Sequence, residues 1–335
     1  MGILYDETKK LFTLHTAHTS YQMMVDRFGN LLHLYYGARV HGAMDYLLTY
    51  QDRGFSGNPY AAGMDRTYSL DALPQEYPTL GTGDFRNIAF NMKNTHGTEG
   101  TVLLYQGHAI RKGKFALPGL PAVWADEEEA ETLEIVLADA VAGIEVRLLY
   151  AVLDENDVIT RSVVVRNIGT TCVTIEKAAA ACLDLVSGDY DVLRFYGKHA
   201  MERNLERTRL GHGSIRFGSR RGSSSHQYNP GVILAEAGAT ETAGACYGML
   251  FVYSGNFCCE TERDPYAQTR LLMGLNDELF SYPLAPGETF TVPEVILSYS
   301  AHGFAALSQQ YHRCIRKHIC RSPYMHRPRL VLINS

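Results

Sequence analysis

The sequence has no excess of positive charge and no apolar run long enough to cross a bilayer. Its 31 Lys and Arg residues are outnumbered by 36 Asp and Glu residues, which gives a net charge of −5. This balance excludes a basic nucleic-acid surface and a polybasic membrane patch. The first residues (MGILYDE) also lack the basic start and apolar stretch of a secretory signal. We therefore expect a cytoplasmic protein without nucleic-acid or membrane partners.

Cysteine is present, but not in a pattern that binds metal or builds a disulfide framework. The seven cysteines are irregularly spaced, and none belongs to a C-x-x-C pair. Cys258 and Cys259 are adjacent in a predicted strand, so their side chains point to opposite faces of the sheet. The pattern predicts buried, reduced thiols, with no metal site and no cofactor.

Most of the sequence consists of short runs in which apolar and polar residues alternate. Turn-forming segments separate these runs, and no helical pattern lies between them. The clearest runs are residues 11–16, 21–25, 31–36, 132–137, 144–152, 158–165, 173–179, 247–253 and 290–299. Many evenly spaced strands without helices predict a mainly β protein, built as a large antiparallel sandwich or barrel.

Three segments depart from the alternating pattern. Residues 50–90 have little periodicity, and their arginines and aromatic residues favour an ordered loop that builds a site. Residues 188–230 are dense in Arg, Gly, Ser and His, which makes them too polar for a core. Residues 302–320 carry one apolar stripe at helical spacing, and Ser300 is the predicted N-cap of this helix.

The last residues (RLVLINS, 329–335) form a continuous apolar run. Such a run predicts a strand buried on both faces, as in a parallel α/β sheet. We therefore expect three parts: a β domain at residues 1–299, a helical linker at 300–322, and the first strand of a further domain at 323–335.

Several ordered motifs resemble the N-terminal domain of glycoside hydrolase family 36 α-galactosidases. The resemblance covers nearly the whole chain, which makes it specific although no single motif is. The matching segments are YQDRGFSGNP (50–59), DRTYSLD (65–71), PQEYP (74–78), GDFR (83–86), RRGSSSHQYNP (220–230), YSGNF (253–257), LAPGETF (284–290), TVPE (291–294) and VLINS (331–335).

The resemblance implies a β-supersandwich similar to galactose mutarotase, followed by the first strand of a (β/α)8 barrel. Enzymes of this family hydrolyse terminal α-galactosides such as melibiose and raffinose, with retention. Retention requires two carboxyl groups about 5–5.5 Å apart. In the family, both are aspartates on the barrel strands, so they would lie beyond Ser335. The resemblance therefore implies no catalytic residue in this chain, which we expect to be inactive alone.

The resemblance also implies three substrate-binding residues: Asp52, Arg66 and His199. In tetrameric family members, the long N-terminal loop reaches the active site of a neighbouring subunit, and Asp52 and Arg66 match its ligand positions. A carboxylate accepts sugar hydroxyls, and a guanidinium donates several hydrogen bonds in a fixed fork. His199 stands where the family usually has Trp, which weakens the expectation of stacking on the sugar. The implied partners are an α-galactoside oligosaccharide and further copies of the chain.

Each of these residues also has a local alternative role. Asp52 could cap a turn and pair with Arg53, and Arg66 could pair with Asp65. His199 could simply pack within its loop. Glu76, Asp84, Arg86, His226 and Gln227 also lie in matched motifs, and we expect them to have mainly structural roles.

Two other functions remain open for a domain of this fold. A self-sufficient sugar mutarotase would need a His acid and a carboxylate base that converge in one cleft. A carbohydrate-binding module generally displays Trp or Tyr on an exposed platform. Because the sequence has 21 Tyr and a single Trp, such a platform would depend on Tyr.

Overall fold

The computed structural model describes residues 2–52, 54, 60–186 and 188–333. Within these residues the chain is antiparallel β-structure with a single α-helix, which confirms the predicted mainly β fold. The strands, in chain order, are β1 (Ile3–Asp6), β2 (Leu11–His15), β3 (Thr19–Val25), β4 (Leu31–Ala38), β5 (Phe90–Lys93), β6 (Leu104–Lys112), β7 (Glu131–Asp139), β8 (Ile144–Leu153), β9 (Val158–Asn167), β10 (Val173–Leu185), β11 (Tyr190–Lys198), β12 (Met201–Arg209), β13 (Gly213–Ser219), β14 (Tyr228–Glu236), β15 (Cys246–Phe251), β16 (Phe257–Arg263), β17 (Thr269–Leu275), β18 (Tyr282–Leu284) and β19 (Thr289–Ser300).

The strands form three sheets that share one apolar core. The first sheet contains β1 to β4 in sequential order, and the second has the order β13-β16-β17-β10-β18, with β5 also paired to β10. The third sheet has nine strands in the order β12-β11-β14-β15-β19-β9-β8-β7-β6. Phe12 and Leu14 of the first sheet, Leu271 of the second and Leu148 of the third are all fully buried in this core. Strands such as β7 follow the alternation read from the sequence and place one face in this core.

Residues 188–230 contain the strands β11, β12 and β13 and the start of β14. The expectation that this region is too polar for a core is wrong, because Val192 and Phe217 are buried in the core. The sequence misled because β12 lies at the edge of its sheet, where both of its faces meet solvent. Its charged residues pair with β11 across the ladder: Arg207 Nε lies 2.6 Å from Asp191, and Arg194 Nη2 lies 2.8 Å from Glu206. Charged edge strands of this kind are stable without apolar alternation.

The predicted helix is present as α1 (Gly303–Cys314), which continues into a π-helical turn at Ile315–Ile319. The predicted N-cap is wrong, because Ser300 Oγ accepts the N–H of His302 (3.0 Å) rather than one inside the helix. The first N–H groups instead donate to carbonyls of the β14–β15 loop, Phe304 to Thr240 and Ala305 to Glu241, each at 3.0 Å. Backbone oxygens therefore replace a side-chain cap.

The apolar run at residues 330–333 belongs to no sheet in the described chain, although the sequence favours a strand there. Its four side chains are between 86% and 95% exposed. A strand requires a neighbour for its N–H and C=O groups, and no strand of the described chain pairs with this segment. No helix within the described ranges combines the length and hydropathy needed to span a bilayer. The seven thiols are free, and five of them are buried.

Candidate functional site

The long loop between β4 and β5 is anchored to the first sheet by Tyr68, which is fully buried. The Tyr68 hydroxyl donates to the carboxylate of Asp26 and accepts from the amide of Asn30 at 2.7 Å. Asp26 also accepts the N–H groups of Phe28 and Asn30, each at 2.8 Å. These contacts fix the backbone immediately after Arg66 on the surface of the sheet.

Farther along the loop, Glu76 enters the core with its charge surrounded by donors. Its carboxylate accepts hydrogen bonds from Tyr21 (2.8 and 2.9 Å), His33 Nδ1 (2.7 Å) and Tyr150 (2.6 Å). The guanidinium of Arg161 lies 3.5 Å away and is also fully buried. Burial alone raises the pKa of Glu76, but the His33 hydrogen bond and the Arg161 charge outweigh it, so this pKa lies below its ordinary value. The expected structural role of Glu76 is confirmed.

A second buried network ties the end of the loop to β10 and β17. Arg86 Nε donates to Asp84 at 2.9 Å, and Arg270 bridges Asp84 (2.8 Å) and Asp184 (2.7 Å). The backbone N–H of Gln75 completes the shell of Asp184 at 2.9 Å. Burial raises the pKa values of Asp84 and Asp184, but the Arg270 charge outweighs it, so both lie below the ordinary range. Asp84 and Arg86 are therefore structural, as expected.

The anchored loop presents Asp52 and Arg66 to solvent as a pair. Arg66 Nη2 lies 3.3 Å from Asp52 Oδ1, and the two side chains are 62% and 51% exposed. Asp52 Oδ1 also accepts the N–H of Gly54 at 2.9 Å. An exposed ion pair contributes only about 0–1 kcal/mol to stability. Little stability would therefore be lost if these donors and acceptors bound a ligand instead of each other.

The structure decides between some of the alternative roles of these residues. Asp65 pairs with Arg27, and it accepts the hydroxyl (2.7 Å) and N–H (3.0 Å) of Thr67. The Thr67 hydrogen bonds and then Arg27 hold the pKa of Asp65 below its ordinary value. Among the described ion pairs, Arg66 is joined to Asp52 and Asp65 to Arg27, which favours the Asp52 pairing. Asp52 does make a turn contact, but Arg53 and residues 55–59 lie outside the described residues.

His199 lies at the tip of the hairpin that joins β11 to β12. Lys198 pairs with Met201, so His199 and Ala200 form a two-residue connection, and Ala200 has φ of 61°. In the part of the chain that the structure describes, no hydrogen bond or ion pair joins His199 to Asp52 or Arg66. The structure thus brings Asp52 and Arg66 together and leaves His199 as a separate, exposed position.

Two His–carboxylate pairs bear on the mutarotase alternative. His33 and Glu76 are 2.7 Å apart, but both side chains are buried in the core, where no ligand can reach them. His18 Nδ1 lies 2.8 Å from Asp157, and the His18 side chain is 80% exposed. In that pair the two groups bond to each other, whereas an acid and a base must each face the sugar. Neither pair has the arrangement that mutarotation requires.

A cleft of about 500 Å³ lies where β11 and β14 of the nine-stranded sheet face β13 of the second sheet. We call it the intersheet cleft, and its walls include Arg194, Tyr196, Phe217, Arg220, Gln227 and Tyr228. Neither tyrosine was identified from the sequence as a candidate ligand residue. Tyr228 lies in the matched motif at 220–230 and Tyr196 lies three residues before His199, but the polar composition of this region hid the strands that place them side by side.

Comparisons with protein families identify two regions of the chain. The model of the glycosyl hydrolase family 36 N-terminal domain matches residues 29–285. The model described as melibiase matches residues 289–335, from β19 to the end of the chain. The two matches follow each other along the chain and together cover most of the sequence.

Individual relatives agree with these family matches. The bifunctional alpha-galactosidase/sucrose kinase AgaSK of Mediterraneibacter gnavus is 74% identical over 335 residues, covering all of this chain and 36% of AgaSK. The solved galactosidase domain of AgaSK superimposes with a TM-score of 0.96 over 98% of this chain and 46% of that one. The alpha-galactosidase AgaA of Geobacillus stearothermophilus, solved as a variant in complex with raffinose, is 42% identical with a TM-score of 0.93, covering 96% of this chain and 45% of that one. The chain thus spans less than half the length of these relatives.

Proposed function

Because the chain belongs to glycoside hydrolase family 36, we propose that it is the non-catalytic N-terminal part of a retaining α-galactosidase. The substrates of the whole enzyme are terminal α-D-galactosyl groups in melibiose and raffinose-type oligosaccharides. This proposal is supported by the alpha-galactosidase activity in the names of AgaSK and AgaA, and by the raffinose complex of AgaA. The attacking and protonating carboxyl groups come from residues outside this chain.

The observation that carries the proposal is the exposed Asp52–Arg66 pair on an anchored loop. Its two groups are 3.3 Å apart, and both are more than half exposed. A carboxylate beside a guanidinium offers acceptors and donors in one plane, which suits neighbouring hydroxyl groups of a sugar ring. The buried networks around Glu76 and Asp84 hold the remainder of the loop, so the pair is presented in a defined place.

In this proposal the loop completes the pocket of a neighbouring copy in a homotetramer. Asp52 and Arg66 bind sugar hydroxyls there, and His199 forms part of the pocket wall. The projecting position of the β11–β12 hairpin, with His199 at its tip, supports such a contact. The five buried free thiols fit a reducing compartment, so we place the protein in the cytoplasm.

A chimeric enzyme tests this function. The chain alone should not hydrolyse a nitrophenyl α-galactoside, whereas a chimera in which it replaces the matched N-terminal part of AgaSK should do so. The 74% identity over the whole chain makes such a replacement feasible. Hydrolysis by the chain alone would contradict the non-catalytic role, and a folded but inactive chimera would contradict the proposed place in the enzyme.

A further inference from the structure

The intersheet cleft has the size and the open form of a small-molecule site. Its volume of about 500 Å³ lies within the range of ligand pockets, roughly 300–1,000 Å³. Main-chain segments approach each other closely at two glycines that line the cleft. A Cβ at Gly218 would lie 2.1 Å from the carbonyl oxygen of Phe257, and one at Gly197 would lie 2.6 Å from that of Met201. Only glycine fits at these two positions, so the main chain packs closely beside the cleft.

Two tyrosines stand side by side on one wall of the cleft. Tyr196 of β11 pairs directly with Tyr228 of β14, so both side chains project from the same face of the sheet. Each of the two residues is 43% exposed. Neither hydroxyl has a hydrogen-bond partner in the described chain, and the same is true of the side-chain amide of the adjacent Gln227. The wall therefore combines flat apolar faces with unused polar groups.

The charges around the cleft are neutralised in pairs. Arg194 lies 2.8 Å from Glu206, Arg216 lies 2.8 Å from Glu260, and Arg220 contacts Glu278. Arg194 also lies over the Phe217 ring, with its guanidinium carbon 5.6 Å from the ring centre. An anionic ligand would meet the carboxylates of these pairs, and a cationic ligand would meet the guanidinium groups. The cleft therefore favours a neutral, hydroxyl-rich ligand.

We infer that the intersheet cleft binds a short neutral oligosaccharide. The apolar face of the sugar packs across both Tyr196 and Tyr228, because an aromatic ring offers a flat surface with a polar end. The sugar hydroxyls bind the tyrosine hydroxyls, the Gln227 amide and the paired side chains of Arg220 and Glu278. This site shares no residue with the Asp52–Arg66 pair, and it needs no catalytic group.

Binding to the 335-residue chain tests the inference without any enzymatic assay. Raffinose is titrated by calorimetry, and saturation-transfer NMR identifies which sugar protons contact the protein. We expect weak binding, with transfer to ring C–H protons. Tyr196→Ala and Tyr228→Ala should each weaken the affinity about tenfold or more. Tyr228→Phe should retain most of it, because the ring remains. Tyr282→Ala, at a similarly exposed tyrosine on β18, is the matched control.

Several results would overturn the inference. These are no detectable binding up to the solubility limit of the sugar, equal weakening in Tyr282→Ala, or tighter binding of a sulfated sugar than of raffinose. Loss of binding in Arg66→Ala with full binding in Tyr228→Ala would place the sugar on the loop instead. Circular dichroism and thermal melting must show that each variant is folded. Because the readout is binding, failure here leaves the chimera experiment unaffected.

Discussion

Glu76 shows how strongly one residue can depend on its neighbours. Its carboxylate is fully buried and is satisfied by two tyrosines, one histidine and the Arg161 charge. Removing one member of a buried charge pair leaves the other without compensation in a low-dielectric core, which costs about 3–5 kcal/mol. The loop that carries Arg66 therefore depends on a residue that never reaches the surface.

We predict that Glu76→Gln will lower the free energy of unfolding by about 3–5 kcal/mol, because Arg161 would lose its counter-charge. Urea denaturation followed by circular dichroism measures the change. Glu128→Gln is the control, since Glu128 is exposed and makes no ion pair in the described residues, and surface changes usually stay within about 0.5 kcal/mol. Equal stability of the Glu76 variant and wild type would contradict the network.

The same buried carboxylates predict how stability depends on pH. Folding lowers the pKa of Glu76 below 4.5 and the pKa values of Asp84 and Asp184 below 3.8. The stabilisation is therefore complete above the unfolded-state values and is lost as the pH falls through the lower folded-state values. Unfolding free energies measured from about pH 7 down to about pH 3 should fall below roughly pH 4.5. Glu76→Gln should give a shallower fall, and a free energy that rose on acidification would contradict the prediction.

The role of a residue could be predicted from the sequence where the residue lies in a matched motif. The residue with which it forms an ion pair could not. Glu76, Asp84 and Arg86 were correctly expected to be structural, since buried polar groups must be satisfied. The pairing of Arg66 with Asp52 rather than Asp65 depends on how the loop folds back on itself. A sequence shows neighbours along the chain, whereas this contact joins two separated positions within the loop between β4 and β5.

At the scale of elements, α1 is held against the nine-stranded sheet by a small apolar cluster. Leu307, Tyr311 and Cys314 pack there against residues such as Val158 and Ile296. The Tyr311 hydroxyl donates to the Ile296 carbonyl at 3.3 Å. The helix is thus an integral part of the β domain surface, and its docking depends on one stripe of side chains.

Leu307→Ala should destabilise the protein by about 2–5 kcal/mol, because it opens a cavity beneath α1. Chemical denaturation of the purified chain measures this loss. Ser308→Ala changes the next residue on the exposed side of the same helix and should have little effect. If the two variants were equally stable, α1 would not be docked as the structure shows.

The sequence pattern predicted strands well where one face of the strand is buried. It predicted them poorly where both faces are exposed. The strand β7 and the first half of β8 alternate and were identified. The strand β12 was missed because cross-strand ion pairs with β11 replace apolar packing at the sheet edge. The N-cap at Ser300 was wrong because carbonyls from a distant loop cap α1. Both errors arise from tertiary contacts that local composition does not encode.

At the scale of the whole molecule, three sheets form a rigid platform for one long loop and one projecting hairpin. The loop is fixed by buried networks that reach β8, β9, β10 and β17. Such a platform holds the side chains of the loop in place, as the proposed role in sugar binding requires. The overall fold was predictable from its alternating runs and matched motifs, whereas the intersheet cleft depends on the packing of two sheets.

The most direct test of the account is the kinetics of Asp52→Ala and Arg66→Ala in the AgaSK chimera. A hydrogen bond to a charged group contributes about 1.5–3 kcal/mol, so each variant should lose roughly 10- to 100-fold in kcat/KM for raffinose. Lys9→Ala is the matched control, since it removes the cation of another exposed ion pair, 3.0 Å from Asp45. Wild-type kcat/KM in both loop variants, or an equal loss in Lys9→Ala, would contradict the proposed role of the loop.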